Sequence, residues 1–216
     1  MSPFFSRKEE IWNTWSHAGG ILLGLIFGII FMAWSIQSGS RWATLGVALY
    51  LFGMLMSYIA STAYHALPIG SAAKAHLRKW DHAAIYWHIA GSYSPITLIA
   101  MRDEGAWGWI LFCFVWTCAI AGTIVSFIRL KEHSYLETVC FVGMGLSVLV
   151  AFKPLLHCVS TNAVAWIIAE GVAYITGAVF YSLRKKPYMH TVFHFFVLLG
   201  SLCHIIAVWD ILVQYL

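Results

Sequence analysis

The chain has 216 residues, of which 61% are hydrophobic and 10% charged, with 11 Trp, 14 Phe and a formal charge of +4. A soluble domain carries about 25% charged residues, and a chain of this size has no core large enough to hide so much apolar surface. Lipid is therefore the solvent, and the positive balance points to charges gathered on one membrane face rather than to nucleic acid.

About 20 apolar residues cross a hydrocarbon core roughly 30 Å thick. The N-terminus, MSPFFSRKEEIWNTWSHAGG, places charges before a long apolar run and has no small-residue cleavage site. It predicts an uncleaved first span near 16–36. Gly20, Gly24 and Gly28 recur there at every fourth position, a small-residue stripe suited to close helix packing. A second span, near 42–66, ends in SYIASTAYHALP, so Pro68 stops the helix just after His65. Ser61 precedes His65 by one turn on the same helical face. The third span, near 82–101, opens with RKWDHAAIYWHIAGSYSP and has Asp81 and His82 at its mouth. Spans near 107–128, 135–152 and 162–183 follow. The seventh, near 190–215, begins PYMHTVFHFFVLLGSLCH, with His190 and His194 one turn apart on one face. Loops are short, so neighbouring spans are antiparallel, and residues 1–216 read as one seven-transmembrane, all-α bundle.

Lys and Arg set the orientation. The N-terminus and the loops after spans two, four and six hold Arg7, Lys8, Lys74, Arg78, Lys79, Arg129, Lys131, Arg184, Lys185 and Lys186. The other side holds Arg41, Arg102 and Lys153. This asymmetry predicts a cytoplasmic N-terminus and an outside C-terminus. Tryptophans sit at span ends as an interfacial belt requires: Trp34, Trp42, Trp107, Trp109 and Trp209 outside, Trp12, Trp15 and Trp80 inside. The five cysteines form no ligand pattern and read as small buried hydrophobes.

On this topology Ser61, His65, Asp81, His190 and His194 share one depth at the cytoplasmic ends of three helices. Three imidazoles at one level can supply three protein ligands to a zinc ion and leave a fourth position open; a carboxylate nearby can orient a ligand or hold water. The competing reading is that histidines at helix ends are merely solvated, and spacing alone leaves both open. His204 lies roughly 15 Å deeper than His194 and cannot share that metal. His76, His133 and His157 read as solvated, and His88 and Glu170 as hydrogen-bonded within the bundle, a proton path being the rival. Asn13 and His17 lie near enough to support the site.

The segments EEIWNTWSHAGG, STAYHALP, KWDHAAIYWHIAGSYSP and KKPYMHTVFHFFVLLGSLCH, in this order, resemble the bacterial hemolysin III family. That family is the prokaryotic branch of the progestin and adipoQ receptor (PAQR) superfamily, which includes the adiponectin receptors; the chain is also similar to the wider group containing alkaline ceramidases. AGSYSPI stands where AGTYTPF is more typical. The resemblance implies seven helices, a bacterial inner-membrane location, and zinc held by His65, His190 and His194. It implies Ser61 and Asp81 as the family's Ser and Asp, the Asp meeting the metal through water. The expected function is a zinc-dependent membrane hydrolase of a lipid amide or ester reached from the inner leaflet, with Asp81 and Ser61 catalytic. The alternatives are a receptor or sensor with structural zinc, and a channel or cytolysin using His88, Glu170 and His204. Membrane lipids are the expected partners.

Overall fold

The computed structural model describes residues 5–129 and 135–216. His133 and Lys131 fall outside them. Helix α1 (Arg7–Gln37) begins with a reciprocal capping box: the Ser6 hydroxyl accepts from the Glu9 amide, and the Glu9 carboxylate accepts from the Ser6 amide. Helix α2 (Arg41–Ala66) starts on Ser40, whose hydroxyl accepts from the Ala43 amide. Helix α3 (Ala72–Pro95) runs on through a wide π turn over Ile96–Ala100, directly after Pro95 removes a backbone donor. Then come α4 (Trp107–Arg129), α5 (Tyr135–Gly145), a 3-10 stretch (Leu146–Ala151) and α6 (Phe152–Cys158). The last two helices are α7 (Thr161–Ser182) and α8 (Met189–Tyr215).

The rod from α5 to α6 outlasts the apolar run expected to end near 152. Pro154 does not break it because it falls in the first turn of α6, where its missing N–H is an orphan in any case. The third helix likewise begins ten residues before the apolar run does, with a polar stretch that includes Lys74, Arg78 and Lys79.

Among the described residues, six helical segments are long and apolar enough to cross a membrane: α1, α2, α4, the α5–α6 rod, α7 and α8. Their exposed faces carry Leu22, Ile29, Ile128, Val150, Val172 and Phe195, a surface suited to lipid and not to water. Helix α3 is less apolar for a physical reason. It packs against α2, α4, α5 and α8, and every residue from 90 to 100 is buried, so its neighbours are protein rather than lipid.

Missing side chains allow the tightest packing. A Cβ on Gly53 of α2 would lie 2.2 Å from the Trp87 carbonyl oxygen of α3, and one on Gly91 would lie 2.9 Å from the Leu49 oxygen. The stripe Gly20, Gly24, Gly28 receives the Tyr58, Leu55 and Leu51 side chains of α2, which a Cβ would meet at 2.4, 2.7 and 2.9 Å. Helix α8 then docks on α7, α1 and α3. The end of α2 and the start of α8 thus meet beside the start of α1.

Candidate metal centre

Helix α2 places His65 in its final turn, where the last carbonyls lack partners. The Lys74 ammonium fills that gap, donating to the carbonyls of Tyr64 at 2.7 Å, Leu67 at 3.2 Å and His65 at 3.5 Å. Lys74 also pairs with Glu10 Oε1 at 3.0 Å, while Glu10 Oε2 lies 2.6 Å from His65 Nδ1. A carboxylate only accepts, so the His65 proton sits on Nδ1 and Nε2 presents a bare lone pair.

Helix α8 starts at Tyr188, which adopts a left-handed conformation (φ 62°) and donates its amide to Glu9 Oε1 at 2.7 Å. Adjacent glutamates of α1 therefore hold the two helices that bear the three histidines: Glu9 the start of α8, Glu10 the end of α2. One turn into α8, His194 Nδ1 donates to the Asn13 carbonyl at 3.2 Å, with the Ser16 hydroxyl also at 3.2 Å. Thr191 donates to Asn13 Oδ1 at 2.6 Å. His190 stacks on Phe5, ring centres 4.7 Å apart.

The three imidazoles converge through their far nitrogens. His190 Nε2 lies 3.3 Å from His65 Nε2 and 3.1 Å from His194 Nε2. One ligand atom from each of the three, all buried, lies within 4.8 Å of the others. Tetrahedral zinc with Zn–N of 2.0–2.1 Å sets ligand nitrogens about 3.3 Å apart, so the spacing fits the ion. The chemistry fits too. Two lone pairs aimed at a third nitrogen cannot all be satisfied by one shared proton, whereas a cation satisfies them together. Carboxylate and carbonyl partners on Nδ1 are the outer support that metal-binding histidines use.

Ser61, 3% exposed, lies one turn before His65, and its hydroxyl interacts with the half-buried Asp81 carboxyl. The structure therefore brings Ser61 and Asp81 together across the α2–α3 contact. His82, beside Asp81, is occupied elsewhere: its Nδ1 pairs with Glu137 at 2.9 Å. Deeper in the bundle, His204 Nδ1 pairs with Glu170 at 2.7 Å, and His88 Nε2 approaches Tyr174 at 3.3 Å and Ser201 at 3.4 Å.

Sequence reasoning missed Glu10, Ser16 and Lys74. A signal for Glu10 was present. Glu10, Asn13 and His17 continue the Gly20–Gly24–Gly28 stripe toward the N-terminus at helical spacing, so they share the inward face that the glycines mark. Lys74 gave none, because its role depends on α3 beginning before the apolar run.

A family model described as haemolysin-III related matches residues 5–205. Hemolysin-3 of Bacillus cereus is 34% identical over 194 residues, covering 90% of this chain and 87% of that protein. The hemolysin-3 homolog of Bacillus subtilis (strain 168) is 34% identical over 200 residues, 91% of each. The human monocyte to macrophage differentiation factor is 28% identical over 215 residues, 94% of this chain and 84% of its own.

Proposed function

The chain belongs to the haemolysin-III related family of the PAQR superfamily, and we propose that it is a zinc-dependent integral-membrane hydrolase of a lipid amide or ester. The observation that carries this reading is the convergence of three buried Nε2 atoms one helical turn from a paired Ser61 and Asp81. Held by His65, His190 and His194, zinc supplies Lewis acidity that polarises a carbonyl and makes a water easier to deprotonate. Asp81 takes the proton from the attacking water. Ser61 donates a hydrogen bond to the carbonyl oxygen as negative charge develops there.

The position of the site supports a lipid substrate. It lies at the end of the bundle that carries nine of the 12 described basic residues, which the positive-inside rule assigns to the cytoplasm. Counting α3, seven helices span, and a substrate reaches the site from the inner leaflet of a bacterial inner membrane. The family link to Bacillus hemolysin-3 supports that location. The name hemolysin raises a channel or cytolysin, but the polar residues that reading needs hydrogen-bond within the bundle: His204 Nδ1 to Glu170, His88 Nε2 to Tyr174 and Ser201.

Asp81→Asn keeps the shape of the side chain and removes its basicity. In the hydrolase it retains zinc and loses at least a hundredfold of turnover on a lipid amide or ester, while Ser61→Ala loses less. Zinc content and lipid composition of cells carrying each variant are the measurements. Full function in a zinc-loaded Asp81→Asn protein would replace the hydrolase with a receptor whose zinc is structural.

A further inference from the structure

His17 has the least explained side chain near the centre. It is 5% exposed, and among the described residues neither ring nitrogen has a hydrogen-bond partner. Burying a polar ring without hydrogen bonds is unfavourable, and Leu would occupy the space without that cost. What Leu lacks is a flat face. The His17 ring lies parallel to His194, centres 3.6 Å apart and planes 9° apart. It also makes a T-shaped contact with the Tyr58 ring, centres 5.1 Å apart and planes at 84°. Tyr58 is itself fixed, its hydroxyl 2.7 Å from that of Ser201 and its ring seated where Gly20 has no Cβ.

We propose that His17 is a positioning residue for the metal centre, a plate that fixes the plane of His194. Resting on the metal reading above, it supplies what the hydrogen bond to Asn13 does not. The Nδ1 bond to the Asn13 carbonyl pins one edge of the His194 ring but leaves the ring free to tilt about the N···O line. A parallel ring at van der Waals distance blocks that tilt and keeps Nε2 aimed at the other two ligands. Metal on Nε2 draws electron density from His194, so the π face of His17 attracts it more strongly once the site is filled.

Leu and Phe both fill the position with apolar atoms, and Phe alone keeps a flat face. The test is cobalt(II) binding to the purified full-length chain in detergent, read by chelator competition and by the visible spectrum of the bound ion. His17→Leu should weaken cobalt binding about 10–100-fold, the range expected when support of a ligand is lost, and should alter the spectrum. His17→Phe should retain the unmutated spectrum and affinity within about threefold, the tilt again being blocked. Leu matching the unmutated protein would overturn the proposal, leaving His17 as a space filler. Phe as weak as Leu, with both variants melting like the unmutated chain, would overturn it in favour of the nitrogens. An unmutated chain that binds no cobalt would bring down the metal reading and this proposal with it, a result distinct from the other two.

Discussion

At Glu10 one carboxylate serves two purposes, orienting His65 through one oxygen and anchoring Lys74 through the other. Glu10→Gln keeps an oxygen for the His65 N–H but loses the charge that holds Lys74 over the open end of α2. Its expected effect is about a tenfold loss of zinc affinity, and Glu10→Ala should lose nearer a hundredfold. Chelator competition on purified protein reads both. The ligands themselves should behave more sharply. About one zinc per chain is expected in chelator-free preparations, and His65→Ala, His190→Ala or His194→Ala should each remove most of it by elemental analysis. His204→Ala should retain it, because that ring lies roughly 15 Å deeper and is engaged with Glu170. Metal-free unmutated protein would count decisively against the centre. The ligand triad was legible in sequence because its members stand at helix ends that topology brings to one depth. Glu10 and Lys74 were not, since their partnership depends on which side chains reach across helix contacts, and depth says nothing of that.

Between elements, the contact of α2 with α3 decides whether Ser61 and Asp81 meet at all. Gly53 and Gly91 let the two backbones approach, and a Cβ at Gly53 would meet backbone atoms that cannot rotate aside. Gly53→Ala should therefore separate the helices and destabilise the protein by about 1–3 kcal/mol. Gly171→Ala is the control: nothing lies within 4 Å of its Cβ, and Ala is the better helix former. Thermal unfolding in detergent should show a lowered midpoint for the first and an unchanged or raised one for the second. Equal midpoints would mean that the packing yields. The stripe on α1 was readable in the sequence because three glycines recur at a helical interval. The Gly53–Gly91 contact was not, because Gly46 and Gly53 stand seven residues apart in α2, Gly91 stands alone in α3, and only the crossing point pairs them. The early start of α3 was also hidden: hydropathy marks where a helix meets lipid, whereas α3 begins in a polar stretch stabilised by the Ser71 cap.

For the whole molecule, the unequal charge of the two ends bears on both orientation and chemistry. Among the described residues, the end that holds the triad carries Arg7, Lys8, Lys74, Arg78, Lys79, Arg129, Arg184, Lys185 and Lys186, against Arg41, Arg102 and Lys153 at the other. Lys74 is buried and committed to Glu10 and the end of α2, so it is better counted as part of the fold. Setting it aside leaves eight against three, and the bias survives. On the positive-inside rule the triad is expected on the cytoplasmic side and Leu216 outside. Seven crossings require the two termini to lie on opposite sides, whereas the six segments that qualify by hydropathy alone would return the chain to the side it started from. Orientation of the C-terminus therefore tests the membership of α3 among the spans as well as the charge rule. Alkaline phosphatase fused after Leu216 should be active and green fluorescent protein at the same position dark, while Lys185→Cys should resist an impermeant maleimide added to intact cells. A dark phosphatase with a bright fluorescent fusion and a labelled Lys185→Cys, with Lys8→Cys still protected, would mean that α3 does not cross. Labelling of both Lys8→Cys and Lys185→Cys from outside would instead invert the bundle, turn the triad outward and remove the inner leaflet as the source of its substrate.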